Sequence, residues 1–578
     1  MSTQQSIQSD GRLVQAYLSS ASSLMALQLF SRLFTFGLNQ AMFRMASPEA
    51  FGTAAIQFEL VLSTILFLSR EGVRNALLRA WPNRSSAKDE TEATRSTTGD
   101  ADSASVTNVA FLPLILGLPF AIATAFLYAN TAGKDTRSQP HFNLAISMYA
   151  VAAVMELLSE PMHNRAMGEV LTGVRVKAEG VAITSKTATT CFVLLYDSRM
   201  SAHSGELGLV AFAAGQLAYG VFLCAMYLSH FRGMSWRPTH IASSKRFGLI
   251  YKLYGSFDPQ ILRLSLTMTA QSLFKHVLTE GDKLILSWAS PLQDQGGYAI
   301  AVNYGSLVAR IVFQPIEEIL RVYFSKVLSP AKDMEQIPTI HAEYAAHPSR
   351  TSLQQASDAL ISLLAIQSSL GVILVTFGSA YISIVLYILL PPQYLSTSAP
   401  NVLAAWIWYV PVLAVNGGLE AFVSSVAIPK DLNRQSRWMA GFSIIYISTA
   451  IGLYAQGFGD TSLVYANIIN LSGRIVYALQ FISSYFRSHH AGHLLRWKDI
   501  MPLPRLIFLA VLSSFVIHYH GHKRDISGIV KAGGKTALLD ISVVTHVGLG
   551  GGLALISITI WWMSSGRLLV PSRHAKIE

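Results

Sequence analysis

The run NQAMFRMASPEAFGTAAIQFELVLSTILFLSREGVR, residues 39–74, decides the fold. Between Phe51 and Ser69 its only ionisable residue is Glu59, and the segment matches the roughly 20 apolar residues that cross a bilayer as a helix. The charges at its far end, Arg70, Glu71 and Arg74, have the placement expected where such a helix leaves hydrocarbon. The same alternation of long apolar block and short polar loop fills the rest of the 578 residues. The chain is 51% hydrophobic and 13% charged, with mean hydropathy +0.39, whereas soluble domains carry about 25% charged residues. Such a composition cannot coat a soluble globule. Net charge is +11, but the basic residues are scattered through loops and form no patch interleaved with aromatics, so nucleic acid is excluded as a partner.

The pattern predicts an all-α polytopic membrane protein of about fourteen transmembrane helices. Spans are expected near 15–38, 51–69, 106–128, 142–160, 178–197, 206–229, 260–289, 298–324, 357–378, 401–425, 436–456, 462–486, 503–520 and 543–564. The block 379–390 either extends the ninth span or forms a separate segment before Pro391-Pro392. Lys and Arg are several-fold more abundant in the termini and the loops after even-numbered spans than in the other loops, which places both termini in the cytoplasm. The first block is expected to remain as a signal anchor. The Ser/Thr-rich stretch 82–105 reads as a disordered cytoplasmic loop, leaving its sequon at Asn83 unused. Cys191 and Cys224 lie in apolar blocks without metal-ligand spacing and are expected to pack.

The sequence also repeats. ASPEAFGTAAI (46–56) matches ASPLQDQGGYAIAV (289–302), and each is followed by a helix ending in charge, SREGVR (69–74) and PIEEILR (315–321). Glu71 aligns with Glu318, and Arg74 with Arg321. The copies lie about 245 residues apart, an even number of spans, so they share an orientation and imply two six-helix lobes related by an axis along the membrane normal. The expected division is an N-terminal lobe at 1–240, a C-terminal lobe at 241–490, and two additional helices in 491–578.

Charges inside spans cost at least about 2.5 to 3.5 kcal/mol, so they face a wet cavity or a partner. Gln28, Arg32, Thr35 and Asn39 recur at spacings of 4, 3 and 4 on one helix face. Asn303, Ser306, Arg310, Gln314, Glu317 and Arg321 form a second stripe in the eighth span, with Pro315 able to kink it. Further members are Lys275, Glu280, Asp282 and Lys283 in the seventh span, Glu156 and Glu160 in the fourth, Glu179 and Lys186 in the fifth, and Asn467, Asn470, Arg474 and Tyr477 in the twelfth. These residues either line a cavity for polar cargo or form interhelical pairs that fix packing, the second reading weighing most for Arg70, Glu71, Arg74 and Glu160. A cargo bearing sugars and a diphosphate needs hydroxyl partners and cations, and arginine suits phosphate because its planar fork donates two parallel hydrogen bonds. AGGKT (532–536) imitates a phosphate loop without its first glycine, and HHAGH (489–493) and HYHGH (518–522) lack further ligands of suitable spacing. No cofactor, metal or catalytic machinery is expected.

The run 39–74 and TEGDKLILSWASPLQDQGGYAIAVNYGSLVARIVFQPIEE (279–318) closely resemble signatures of the Rft family. ELLSEPMHNRAMGEVLTGVRVKAEG (156–180) and NGGLEAFVSSVA (416–427) match more weakly. The resemblance implies membership of the multidrug, oligosaccharidyl-lipid and polysaccharide exporter superfamily, with two six-helix lobes around a central cavity. It also implies the endoplasmic reticulum membrane and the N-glycosylation pathway, with a dolichyl-diphosphate Man5GlcNAc2 lipid as partner and a role in moving it from the cytoplasmic to the luminal leaflet. Glycosyltransferases of that pathway are further candidate partners. The positions it carries over are Arg44, Glu59, Arg70, Glu71 and Arg74 in the first motif, and Glu280, Asp282, Lys283, Arg310, Glu317 and Glu318 in the second. The leading expectation is a flippase working by alternating access about a cationic cavity; the alternatives are a non-transporting scaffold or lipid-binding factor and an ion-coupled exporter of small cations.

Overall fold

The computed structural model describes residues 36–80, 106–169, 171–200, 205–232, 257–328 and 349–564. The predicted loop at 82–105, the span at 15–38 up to Thr35, and Gln28, Arg32 and Thr35 lie outside the described residues. Helices occupy each of the remaining predicted spans. They are α1 (36–45), α2 (Pro48–Leu78), α3 (Val106–Thr131), α4 (Phe142–Gly168), α5 (Thr172–Met200), α6 (Gly208–His230), α7 (Pro259–Thr279), α8 (Gly281–Ala289) and α9 (Leu292–Val327). They continue with α10 (Arg350–Leu389), α11 (Ala399–Val426), α12 (Pro429–Leu453), α13 (Thr461–Ser488), α14 (Pro504–Lys523), the short α15 (Ile526–Gly533) and α16 (Ile541–Ser564).

Among the described residues, 10 helices are long and apolar enough to cross a membrane. Helices α5, α7 and α13 fill the remaining described spans with 29, 21 and 28 residues but carry more polar side chains. Large apolar side chains point outward, with Phe126 at 72% and Phe508 at 71% exposure, as lipid-facing surfaces require. The ninth span is settled as one 40-residue helix, α10, ending just before Pro391-Pro392. At 1.5 Å per residue it runs about 60 Å, twice the hydrocarbon thickness, so its polar start RTSLQQASD stands outside the apolar layer.

Contacts divide the chain into two compact units, Phe36–Ala299 and Ile300 onward. In the first, α4 packs between α3 and α6, α6 packs on α5, and α7 packs on the end of α2. Small residues permit these approaches: a Cβ at Gly215 would strike the Lys186 backbone of α5, and one at Gly220 the Ala152 backbone of α4. The core gathers on Phe58, whose ring lies 4.9 Å from Tyr149 and 5.9 Å from Phe142. In the second unit α11 packs against α10, α13 and the end of α9, α12 packs on α13, and α14 with α16 lies against α10. Its core gathers on Phe422, with Phe324 at 5.0 Å and Phe486 at 5.8 Å.

The repeated motif produces a contact with itself. Ser47 caps α2 by accepting the Ala50 N–H at 3.2 Å, and Pro48 occupies the first turn, where no N–H is needed. That turn crosses the first turn of α9 so closely that a Cβ on Gly52 would enter the backbone at Leu292 and Gly296, and one on Gly296 would enter the Pro48 carbonyl. Beside the crossing, Gln57 donates to Gln295 at 2.9 Å and accepts from Tyr128 at 2.5 Å and Thr136 at 3.2 Å.

Cys191 is half-buried and Cys224 buried, and both are free thiols in helical packing. The AGGKT segment lies at the C-terminal end of α15, with Gly534 at φ +55, whereas phosphate cradles require a helix N-terminus.

Candidate functional site

Helix α2 is not one regular α-helix: π turns span Thr53–Phe58 and Phe67–Glu71, with an α segment between them. Each π turn inserts a residue into the turn and rotates the helix beyond it, a device found often at functional sites. Here it brings Glu59, Arg70 and Glu71 onto the wall of one polar cavity of about 610 Å³ inside the first unit. Glu156 enters from α4, Lys186 from α5, Gln216 and Tyr219 from α6, and His276 and Glu280 from α7 and its end.

The wall is organised by hydrogen bonds. Gln216, 3% exposed, donates to Glu156 at 2.8 Å, while its own Oε1 is buried without a hydrogen-bond partner. His276 stacks on Phe67 with ring centroids 4.2 Å apart and meets the Thr64 hydroxyl at 3.2 Å. Glu280 pairs with Lys283 at 2.8 Å at the break between α7 and α8. Four carboxylates (Glu59, Glu71, Glu156, Glu280) and two cations (Arg70, Lys186) face this space. No ion pair joins Lys186 to a carboxylate among the described residues.

At the rim, Arg74 and Arg70 converge on Glu160 of α4. Arg70 lies 3.1 Å from Glu160 and 3.4 Å from Glu156, and Arg74 holds Glu160 bidentately. Arg74 is therefore paired across α2 and α4. Glu71 accepts from Asn75 at 3.3 Å.

The second unit has its own polar cluster. Arg474 of α13 donates to Glu420 of α11 at 2.7 Å, and Asn416 donates to the same oxygen at 3.2 Å. Asn470 donates to Asn467 at 3.4 Å one turn away. Gly417 faces Glu317 of α9: a Cβ there would land on the carboxylate.

A model of the Rft protein family matches residues 16–570. The chain belongs to the Rft family. It is 34% identical over 535 residues to the Man(5)GlcNAc(2)-PP-dolichol translocation protein RFT1 of Yarrowia lipolytica, covering 86% of this chain and 75% of that one. Against the protein of the same name from Saccharomyces cerevisiae identity is 28%, over 82% of this chain and 84% of the other. Among solved structures, lipid II flippase MurJ in an inward closed conformation superposes with TM-score 0.56 at 13% identity, covering 93% of this chain and 99% of that chain. That likeness places the chain in the same fold as MurJ.

Of the positions carried over from the family motifs, Glu59, Arg70, Glu71 and Glu280 share the first-unit cavity. Arg44 is exposed and Asn39 half-buried on α1, while Asp282 and Lys283 lie on α8. The side chain of Lys275 lies outside the described residues. The polar stripe of the eighth span does not stay on one face. A π turn at Ala309–Phe313 precedes Pro315, which has no N–H to return to the turn before it, and the register shifts there. Arg310 consequently turns back to the Asn303 carbonyl at 3.0 Å, Glu317 stays half-buried, and Gln314, Glu318 and Arg321 are exposed. Glu156 and Lys186, marked as intramembrane charges, join the cavity; Gln216, Tyr219 and His276, which no charge pattern marks, complete it.

Proposed function

We propose that this chain is a flippase for lipid-linked oligosaccharide, carrying the dolichyl-diphosphate Man5GlcNAc2 headgroup from the cytoplasmic to the luminal leaflet of the endoplasmic reticulum by alternating access, with no catalytic step. The observation that carries the reading is the polar cavity of about 610 Å³ inside an apolar helix unit. Hydroxyls dragged through hydrocarbon cost several kcal/mol each without partners. The Glu59, Glu71 and Glu280 carboxylates supply partners for sugars, Tyr219 and the Phe67–His276 stack supply apolar faces, and Lys186 supplies charge for phosphate. The relatives named for translocating this lipid support the same cargo. In this reading both termini are cytoplasmic, the repeat lobes are 1–240 and 241–490, and Arg32 and Arg310 add cationic positions to the pathway.

The experiment is reconstitution into liposomes with labelled dolichyl-diphosphate Man5GlcNAc2, reading lectin access to the outer leaflet. Transbilayer exchange that Lys186→Gln slows while the fold is retained supports the flippase; well-folded protein that exchanges nothing supports a scaffold role. The excess of carboxylates over cations in the cavity favours a second reading, a cation-coupled carrier. An imposed sodium or proton gradient that drives exchange uphill would establish it.

A further inference from the structure

Where α12 begins and α13 ends, two cavities adjoin in the second unit. One, about 580 Å³, is walled by Leu364 of α10, Val415 and Leu419 of α11, Leu479 of α13, and Trp497 and Ile500 of the following 3-10 turn. The other, about 230 Å³, is polar and holds Arg434 of α12 with Tyr477 and Ser488 of α13. Gln480 and Ser484, one helical turn apart, line both, so the seam between the apolar and the polar space runs along one face of α13. Arg487 lies at the edge of the apolar cavity. Asp431, the carboxylate of the polar cavity, is turned to its own helix start, where it accepts the Ile428 N–H at 3.4 Å. No ion pair is formed by Arg434 or Arg487 among the described residues.

We propose that the joined cavities bind one anionic glycerophospholipid of the surrounding bilayer, its acyl chain in the apolar space and its phosphate at the polar one. An amphiphile is what an apolar slot edged by Arg487 and opening onto a polar pocket that holds Arg434 fits, and basic residues between helices recognise anionic headgroups. Trp497, half-buried against the Phe422 core, walls the apolar space with an amphipathic ring of the kind enriched at membrane interfaces. Size selects the occupant: the polar cavity lies below the 300–1,000 Å³ usual for small-molecule sites and takes a phosphate with a small alcohol, not an oligosaccharide. The bound lipid would fill the space between α13 and the connection to α14, joining the lobe to its last helices. The proposal rests on no part of the flippase reading.

The test uses the full chain in phosphatidylcholine vesicles doped with a phosphatidic acid bearing a photoreactive group in its acyl chain, with labelled peptides mapped by mass spectrometry. Label is expected at Leu479 and around Trp497 and Met501. Arg434→Gln with Arg487→Gln is expected to cut it about tenfold, the scale of losing charge-assisted hydrogen bonds, while labelling of lipid-facing Phe508 and Phe515 stays constant. Leu479→Trp, which fills the slot and keeps both cations, should also remove it. Label spread evenly over the slot and the Phe508 face, or unchanged in both variants, overturns the proposal. So does displacement of the probe by excess polyprenyl phosphate but not by excess unlabelled phosphatidic acid, which would give the slot to an isoprenoid.

Discussion

Arg74 holds Glu160 by both arms of its guanidinium: Nε lies 2.8 Å from one carboxylate oxygen and Nη2 2.5 Å from the other, and the Glu160 side chain is fully enclosed. Arg70 reaches the same carboxylate from the preceding turn of α2. Glu160→Gln therefore leaves two guanidinium groups facing a neutral amide. Removing one partner of a buried pair costs about 3–5 kcal/mol, and a large fall in thermal unfolding temperature is expected. Arg74→Gln combined with Glu160→Gln should recover much of it; a double variant as unstable as the single one would show that the pair is not the source.

Lys186 has a different part. It faces the cavity and has no carboxylate within salt-bridge distance among the described residues, so Lys186→Gln should leave stability nearly unchanged. Hydrogen bonds to charged groups contribute about 1.5–3 kcal/mol, so transbilayer exchange should slow by roughly one to two orders of magnitude. Exchange at the wild-type rate would remove Lys186 from the headgroup path.

Two classes of glycine should separate in an alanine scan. Gly52→Ala and Gly296→Ala push a methyl into opposing backbone and are expected to destabilise by about 1–3 kcal/mol, the range for overpacking. Gly452 of α12 meets nothing within 4 Å, and Gly452→Ala should stabilise by about 0.5–1 kcal/mol through lost chain entropy. Unfolding midpoints of the three variants in one detergent decide this, and equal midpoints would dismiss the close crossing.

Gly417→Ala should act on activity more than on stability. The added methyl meets the Glu317 carboxylate, the end of a flexible side chain that can swing away. Exchange should fall while the unfolding midpoint moves by less than about 1 kcal/mol equivalent, the range of a tolerated substitution. Full activity with a displaced Glu317 would release that carboxylate from function.

The helices are legible in the sequence because hydrocarbon imposes length and apolarity, and Phe51–Ser69 satisfies both on sight. Glu59, Arg70, Glu71 and Glu280 are legible because an ionisable residue in such a run needs a reason. The stripe from Asn303 to Arg321 is not, since regular spacing assumes an unbroken α-helix and the π turn before Pro315 breaks it. Gln216 and His276 escape for another reason: a neutral polar residue in an apolar helix is cheap enough to carry no signal, and only the neighbours Glu156 and Phe67 reveal their use.

The crossing of Gly52 with Gly296 has a consequence for how this chain can vary. The two glycines occupy matching places in the two copies of the motif, and a side chain on either would enter the backbone of the segment that carries the other. A change of size at one position is met by the backbone beside the other, so the two behave as a single unit of packing.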